Sequence, residues 1–243
     1  MPEMDQVQAQ FTGLLEEKGI TLNEEQLDQF EAYYRELVSW NEKMNLTGIT
    51  EREEVYIKHF YDSLSLAFYV DMNKVGSLAD IGSGAGFPGL PLKIVFPHLQ
   101  LTIVDSLNKR ITFLQHVADE LKLKQVKLVH GRAEDIARQP GFRDSYDLVT
   151  ARAVARMAVL NEFCLPFVKV GGMFAAMKGT DPNEEVKEAG RSFKELKGKV
   201  KQSFQFELPV SDSSRHIILV DKVQATPGKY PRKAGTPLKA PLV

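Results

Sequence analysis

LADIGSGAGFPGLPLKIVFP, residues 78–97, runs an apolar strand into four glycines and then into an apolar segment. Leu78, Ala79 and Ile81 read as the strand. Leu90, Leu92, Ile94 and Val95 follow at mixed helical spacing behind Pro88, a residue suited to a first helical turn. A glycine-rich turn between strand and helix is where doubly wound α/β sheets bind nucleotides.

Outward from this turn, strand and helix alternate. Strands are expected at 77–81, 101–106, 126–131, 146–151 and 172–178, with helices near 88–96, 108–122, 133–138, 155–169 and 182–197. Such alternation implies a parallel sheet with right-handed crossovers. Two further strands, SFQFEL (203–208) and RHIILVDKV (215–223), have no helix-length segment between them and predict an antiparallel hairpin on one edge. The first 70 residues read as helical. Asn23 is a capping signal ahead of Leu27, Phe30, Tyr34, Leu37 and Trp40, and Thr50 with Glu53 forms a capping-box pattern ahead of Val55, Ile57, Phe60, Leu64 and Phe68. Aromatic residues at this spacing are expected to pack rather than to stack on bases. The last stretch, with four prolines, four Lys/Arg and no acid, is expected to be an extended arm without regular structure. The chain therefore divides into a helical domain (1–70), an α/β domain (71–224) and a basic arm (225–243).

With 243 residues, 43% of them hydrophobic, the chain can bury a sizeable core. The amino-terminal MPEMDQVQAQ is polar and acidic, unlike a signal peptide, and no apolar run reaches the roughly 18 residues of a membrane span, so a cytoplasmic location is expected. The single cysteine, Cys164, allows no internal disulfide and no cysteine-cluster metal site, and reads as a small buried helix residue. Net charge is −1, but residues 1–60 hold 13 acids against five bases and residues 200–243 three against seven. Bulk charge thus gives no support for nucleic-acid binding, while a local basic surface near the carboxyl end stays open.

The turn itself has the spacing Asp80, Gly82, Gly84, Gly86. A dinucleotide fingerprint would place its third glycine where Phe87 stands. Asp80 is a second objection to a pyrophosphate, since a carboxylate repels it but suits the ammonium and sulfonium of S-adenosylmethionine. The next strand ends in Asp105, placed to accept hydrogen bonds from both ribose hydroxyls of an adenosine-containing cofactor. After the third strand, Glu134 is placed to accept from an adenine amine, and Ala133 is small enough to lie beside the ring.

DIGSGAGFPGLPLKI, VDSLNKRITFL, GRAE, TARAVA and YPRKAGTPLKAPL together resemble the GidB-type family, small-subunit ribosomal RNA methyltransferase G, as do WNEKMNLTGIT and KHFYDSL in the helical part. The resemblance covers nearly the whole chain. It implies a Rossmann-like class I methyltransferase fold and transfer of a methyl group from S-adenosylmethionine to guanine N7 in 16S rRNA. By match of motif, Gly82, Phe87, Asp105, Ser106, Leu107, Ala133, Glu134 and Arg152 should line the cofactor site.

What is missing agrees with that chemistry. The fourth strand runs into TARAVAR rather than an Asn/Asp-Pro-Pro-aromatic turn, and Cys164 lacks the setting of a nucleophilic thiolate. Guanine N7 carries a lone pair and no proton, so its methylation needs alignment and desolvation but no general base. No catalytic acid or base is assigned, and no metal. Candidates for gripping RNA are Arg152, Arg156 and Lys178 at strand ends and Arg232 and Lys233 in the arm, with Asn45 and His59 able to meet guanine edges or the cofactor rim. The arm has a competing reading as a structural strap, with Tyr230 and Leu238 buried. A monomer is expected. Two rival functions stay open at this point: a nicotinamide-dependent oxidoreductase, and a non-enzymatic ribosome-assembly factor with a retained cofactor pocket.

Overall fold

The computed structural model describes residues 5–179, 181–211 and 213–243; the first four residues of the acidic amino terminus lie outside them. Seven strands form one sheet: β1 (Ser77–Ile81), β2 (Gln100–Asp105), β3 (Val126–His130), β4 (Tyr146–Arg152), β5 (Val168–Lys178), β6 (Gly198–Glu207) and β7 (Ser214–Lys222). Their order is β3-β2-β1-β4-β5-β7-β6. β1 to β5 are parallel, and β7 runs antiparallel between β5 and β6. The strand order reverses between β1 and β4, the switch point at which open α/β sheets leave a crevice beyond the strands' carboxyl ends. The antiparallel β7 contributes its amino end to that edge, because His216 pairs with Lys178.

One sheet face is covered by the amino-terminal helices together with α5 and α6. These are α1 (Gln6–Glu16), α2 (Glu24–Met44), α3 (Arg52–Val55), a π-helical stretch Tyr56–Tyr61, α4 (Asp62–Leu64), α5 (Gly89–Val95) and α6 (Asn108–Glu120). Phe11, Phe30, Tyr33 and Phe60 share a continuous buried core with Leu78, Leu90, Ile103 and Phe113, so the helical segment packs directly onto the sheet. The aromatic stripe is thus core, as its spacing predicts. The opposite face carries α7 (Ala133–Ile136), α8 (Met157–Cys164), α9 (Asn183–Glu188), α10 (Gly190–Glu195) and the arm with α11 (Thr236–Lys239). Cys164 is buried there.

Asn23 caps α2 as expected, its Oδ1 accepting from Gln26 N at 2.9 Å while Gln26 Oε1 accepts from Asn23 N at 3.0 Å. Three expectations need correction. The Thr50–Glu53 box does not form: the cap of α3 is Glu51, with no side-chain capping bond, so Glu53 stands one place too early in the helix to reach back. The helix over 182–197 breaks into α9 and α10 at Ala189, next to Gly190, a weak helix former. The arm is neither extended nor without regular structure. It carries α11 and is bound to the body by Arg143, whose Nη1 donates to Tyr230 O at 2.8 Å and Nη2 to Thr226 O at 2.9 Å. Tyr230 and Leu242 are buried.

Candidate functional site

The turn after β1 is a left-handed cradle: Gly82, Gly84 and Gly86 have φ of 73°, 63° and 103°, a region that L side chains enter with strain. It is held on three sides. Beneath it, Tyr33 OH donates to Ala85 O at 2.5 Å. At its far end, Asp80 Oδ2 accepts from Gly89 N at 2.8 Å and so pins the start of α5 under β1. From the next strand, Asp105 Oδ2 accepts from Gly84 N at 3.1 Å while Oδ1 accepts from Leu107 N at 2.9 Å, and Arg110 Nη1 lies 3.3 Å from Oδ2. Asp105 therefore ties the turn to the end of β2.

Three adjoining cavities follow the carboxyl edge of the sheet. The first, about 440 Å³, is lined by Ser83, Gly84, Phe87 and Asp105 from the turn and β2, by Arg110 from α6, and by Thr47 and His59 from the helical segment. The second, about 240 Å³, shares Gly82, Ser106 and Val154 with it and continues to Gly131, Ala133, Glu134 and Leu238. The third, about 280 Å³, shares His59, Arg152 and Ala153 with the first and is walled by Lys58, Asp62, Lys178, Arg215 and His216.

Asp62 organises the third cavity. Its side chain is only 6% exposed, with Arg152 Nη1 2.9 Å from Oδ2 and Arg215 Nε 3.3 Å from Oδ1. One buried carboxylate thus fixes two guanidinium groups that arrive from β4 and β7, an arrangement in which losing the acid would strand two cations. Arg152 also donates to Lys58 O at 3.2 Å and lies 5.0 Å from the centre of the Phe87 ring. His59 stacks on Phe87 at 4.6 Å, with 22° between the planes. Burial and the neighbouring Arg152 charge push the imidazole pKa down to about 3, so the ring is neutral at physiological pH. Its Nδ1 lies 3.1 Å from Lys58 O and 3.4 Å from Arg152 Nη2, and its Nε2 2.8 Å from Thr47 Oγ1, so both ring nitrogens are engaged. Lys178 Nζ is held between Ala155 O (2.9 Å) and Glu185 Oε2 (2.8 Å). His216 is buried, and its Nδ1 has no partner among the described residues.

Of the residues expected at the site, Gly82, Gly84, Phe87, Asp105, Ser106, Ala133, Glu134, Arg152, His59 and Lys178 line these cavities. The others lie elsewhere. Asp80 is completely buried with its carboxylate turned toward α5 rather than toward a ligand. Burial raises its pKa to about 6, against the lowering effects of the Ser83 hydroxyl and the Gly89 N–H. Gly86 faces the core, where a Cβ would stand 2.8 Å from Leu90 Cδ1. Leu107 precedes α6 outside the wall, and Asn45 closes α2 in the left-handed conformation. Arg156 pairs with Glu188 on the surface. Arg232 is forked onto buried Glu162, and Lys233 is exposed on the arm. Thr47, Ser83, Arg110, Lys58, Asp62, Arg215 and His216 were given no role by the sequence reading, although the first five stand in stretches that carry the resemblance: WNEKMNLTGIT, DIGSGAGFPGLPLKI, VDSLNKRITFL and KHFYDSL.

The donor set suits an adenosine-bearing cation. Carboxylates end β2 and open α7, where a pyrophosphate would be repelled. Gly84 leaves open space where a Cβ would stand, on the wall that also carries the buried Ser83. Neighbours in structure have the same fold: MtNAS in complex with MTA and tNA (TM-score 0.55, 13% identity, 82% of this chain and 72% of that one) and M. jannaschii TYW2 in complex with AdoMet (TM-score 0.52, 15% identity, 67% and 74%). Fold and site define a Rossmann-like, S-adenosylmethionine-dependent methyltransferase.

The particular family follows from the sequence relatives. Residues 26–218 match the GidB family, described as rRNA small subunit methyltransferase G. Ribosomal RNA small subunit methyltransferase G of Bacillus cereus (strain B4264) is 57% identical over 233 residues, 96% of this chain and 98% of the relative, and the protein of that name from Bacillus thuringiensis (strain Al Hakam) matches equally. The chain belongs to the GidB family.

Proposed function

We propose that this enzyme methylates N7 of a guanine in 16S rRNA of the small ribosomal subunit. One observation carries the reading: the cavity beneath the glycine turn opens, through His59, Arg152 and Ala153, into a basic pocket whose carboxylate, Asp62, is already paired with cations. Asp62 has both oxygens committed to guanidinium groups, and His59 Nε2 is committed to Thr47. Among the described residues of this pocket no carboxylate is free to take a proton from a nucleophile, and the unpaired acceptor is the buried Nδ1 of His216. Guanine N7 has no proton to lose and is methylated by in-line displacement alone. Cys164, the only thiol, is buried in α8 outside all three cavities, and burial pushes its pKa up, which disfavours a thiolate route.

When bound, S-adenosylmethionine supplies the electrophilic methyl group. Asp105 and Ser106 hold its ribose side, Glu134 and Ala133 its adenine side, and the Gly82–Gly84 backbone its amino-acid side. Arg152, Lys178 and Arg215 meet the phosphates around the target base, where cations give binding its salt dependence. His59, neutral and stacked on Phe87, shapes the passage between the two chambers. On this reading the enzyme acts as a monomer, and an rRNA substrate supports a cytoplasmic location.

The test is transfer of labelled methyl to small-subunit rRNA, followed by mass-spectrometric mapping of the product. Label confined to N7 of one guanine is expected. Label on an exocyclic amine or a ring carbon would overturn the chemistry, and label only in an unrelated RNA would overturn the substrate.

A further inference from the structure

We propose that the carboxyl-terminal arm, residues 225–243, is part of the cofactor site: it forms the outer wall of the adenine chamber and fixes the carboxylate that reads the adenine amine. The proposal rests on the assignment of the second cavity to adenine. Its first ground is the anchoring of the arm. Glu162 is fully buried and accepts four hydrogen bonds from Arg232: from the backbone N at 2.7 Å, from Nε at 3.0 and 3.1 Å, and from Nη2 at 2.7 Å. This guanidinium is consumed inside the protein. Lys229 is likewise paired, 2.9 Å from Glu195. The arm's basic composition therefore serves attachment more than phosphate binding.

The second ground is Gly235. With φ of 84° it turns the chain so that its N–H donates to Glu134 Oε1 at 2.8 Å, across 101 positions of sequence. Arg132 Nη2 approaches the same oxygen at 3.3 Å, and Oε2 takes no bond from the described residues. A carboxylate locked through one oxygen presents the other in a fixed direction, the arrangement that recognises an amine donor. The third ground is Leu238, which lines the adenine cavity opposite Ala133 and Val104 yet is 55% exposed. A flat apolar ring entering the chamber would cover it.

The experiment measures S-adenosylhomocysteine binding to the full chain by calorimetry, beside the salt dependence of rRNA binding. Leu238→Asp is expected to raise Kd about tenfold and Leu238→Met to leave it within about twofold, with thermal unfolding unchanged because the side chain is half exposed. Lys233→Ala with Lys239→Ala should leave Kd unchanged. If Leu238→Asp folds and binds as wild type, the wall assignment is overturned; if it fails to fold, Leu238→Ala, expected to weaken binding about threefold, decides the same question. If the lysine pair instead flattens the salt slope of RNA binding while the Leu238 variants bind cofactor normally, the arm is an RNA grip. A wild-type protein that does not bind S-adenosylhomocysteine would overturn the cofactor assignment itself.

Discussion

Gly84 and Gly86 stand two residues apart in one turn, and the same substitution should fail at each for a different reason. At Gly84, φ is 63° and an added Cβ meets nothing within 4 Å. The cost to the empty protein is therefore backbone strain alone, about 1–2 kcal/mol for an L residue in the left-handed region. For a chain of this size that corresponds to a fall in Tm of roughly 2–8 °C. The new methyl group projects into the space reserved for the ligand, and overpacking of about 1–3 kcal/mol should weaken S-adenosylhomocysteine binding some 5- to 150-fold. At Gly86, φ is 103° and a Cβ would lie 2.8 Å from Leu90 Cδ1 and 2.9 Å from Leu114 Cδ2, and would press on the Tyr33 hydroxyl that holds Ala85. Strain and core overpacking together cost about 2–6 kcal/mol, enough to lower Tm by roughly 4–20 °C or to prevent folding. Thermal unfolding and calorimetry on Gly84→Ala and Gly86→Ala separate the two. A Gly84→Ala protein that binds cofactor with wild-type affinity would show that the turn is only a tight connection, and a Gly86→Ala protein of wild-type stability would refute the packing argument.

Further outcomes follow from other contacts. Asp105→Ala should weaken S-adenosylmethionine by about 1.5–3 kcal/mol, the scale of hydrogen bonds to a charged group, and calorimetry giving an unchanged Kd would remove it from the site. Arg232→Ala strands the buried Glu162 charge and should cost about 3–5 kcal/mol of stability in urea unfolding, with the salt slope of RNA binding unchanged; a flattened slope would restore this arginine to the RNA surface. His59 stays neutral in the fold down to pH about 3, whereas the unfolded chain protonates it below about 6.5, so its contribution is complete above that value and is lost as pH falls, by about 1.4 kcal/mol per unit. Asp80, raised to about 6, acts in the opposite sense between pH 4 and 6, because there the folded protein binds the extra proton. His59→Gln should therefore gain roughly 2 kcal/mol on wild type between pH 6.5 and 5 in urea titrations, and parallel pH profiles would contradict the neutral imidazole.

How much of this could be read in the chain depends on the range of the interaction involved. β1, the turn and α5 were legible because a short apolar run, three glycines with positive φ and a helical run are each set within a few residues. Asp105 and Glu134 were legible because a parallel sheet brings its carboxyl ends to one edge, so position along the strand suffices. Asp80 and Gly86 were misread by the same logic: they sit in the motif, but whether a side chain points up to a ligand or down to α5 depends on pleat and turn geometry that spacing does not encode. Arg232 was misread because its partner lies 70 positions away on α8, and an arginine in a proline-rich tail looks free until the helix that holds its acid is placed.

The third cavity marks the limit of local reading most clearly. Its cations come from a π-helical turn, from the ends of β4 and β5 and from the start of β7, and they meet only because β7 enters the sheet antiparallel with His216 opposite Lys178. A hairpin was foreseeable, but a hairpin that placed its first strand rather than its second beside β5 would have carried Arg215 away from Arg152. Asp62 makes the observed choice energetically distinct, since in that alternative its Oδ1 would lose the guanidinium it now holds, leaving buried charge less completely paired. The substrate side of this enzyme is thus specified by an ion network that no single segment contains, and the cofactor side by a turn that one segment contains almost entirely.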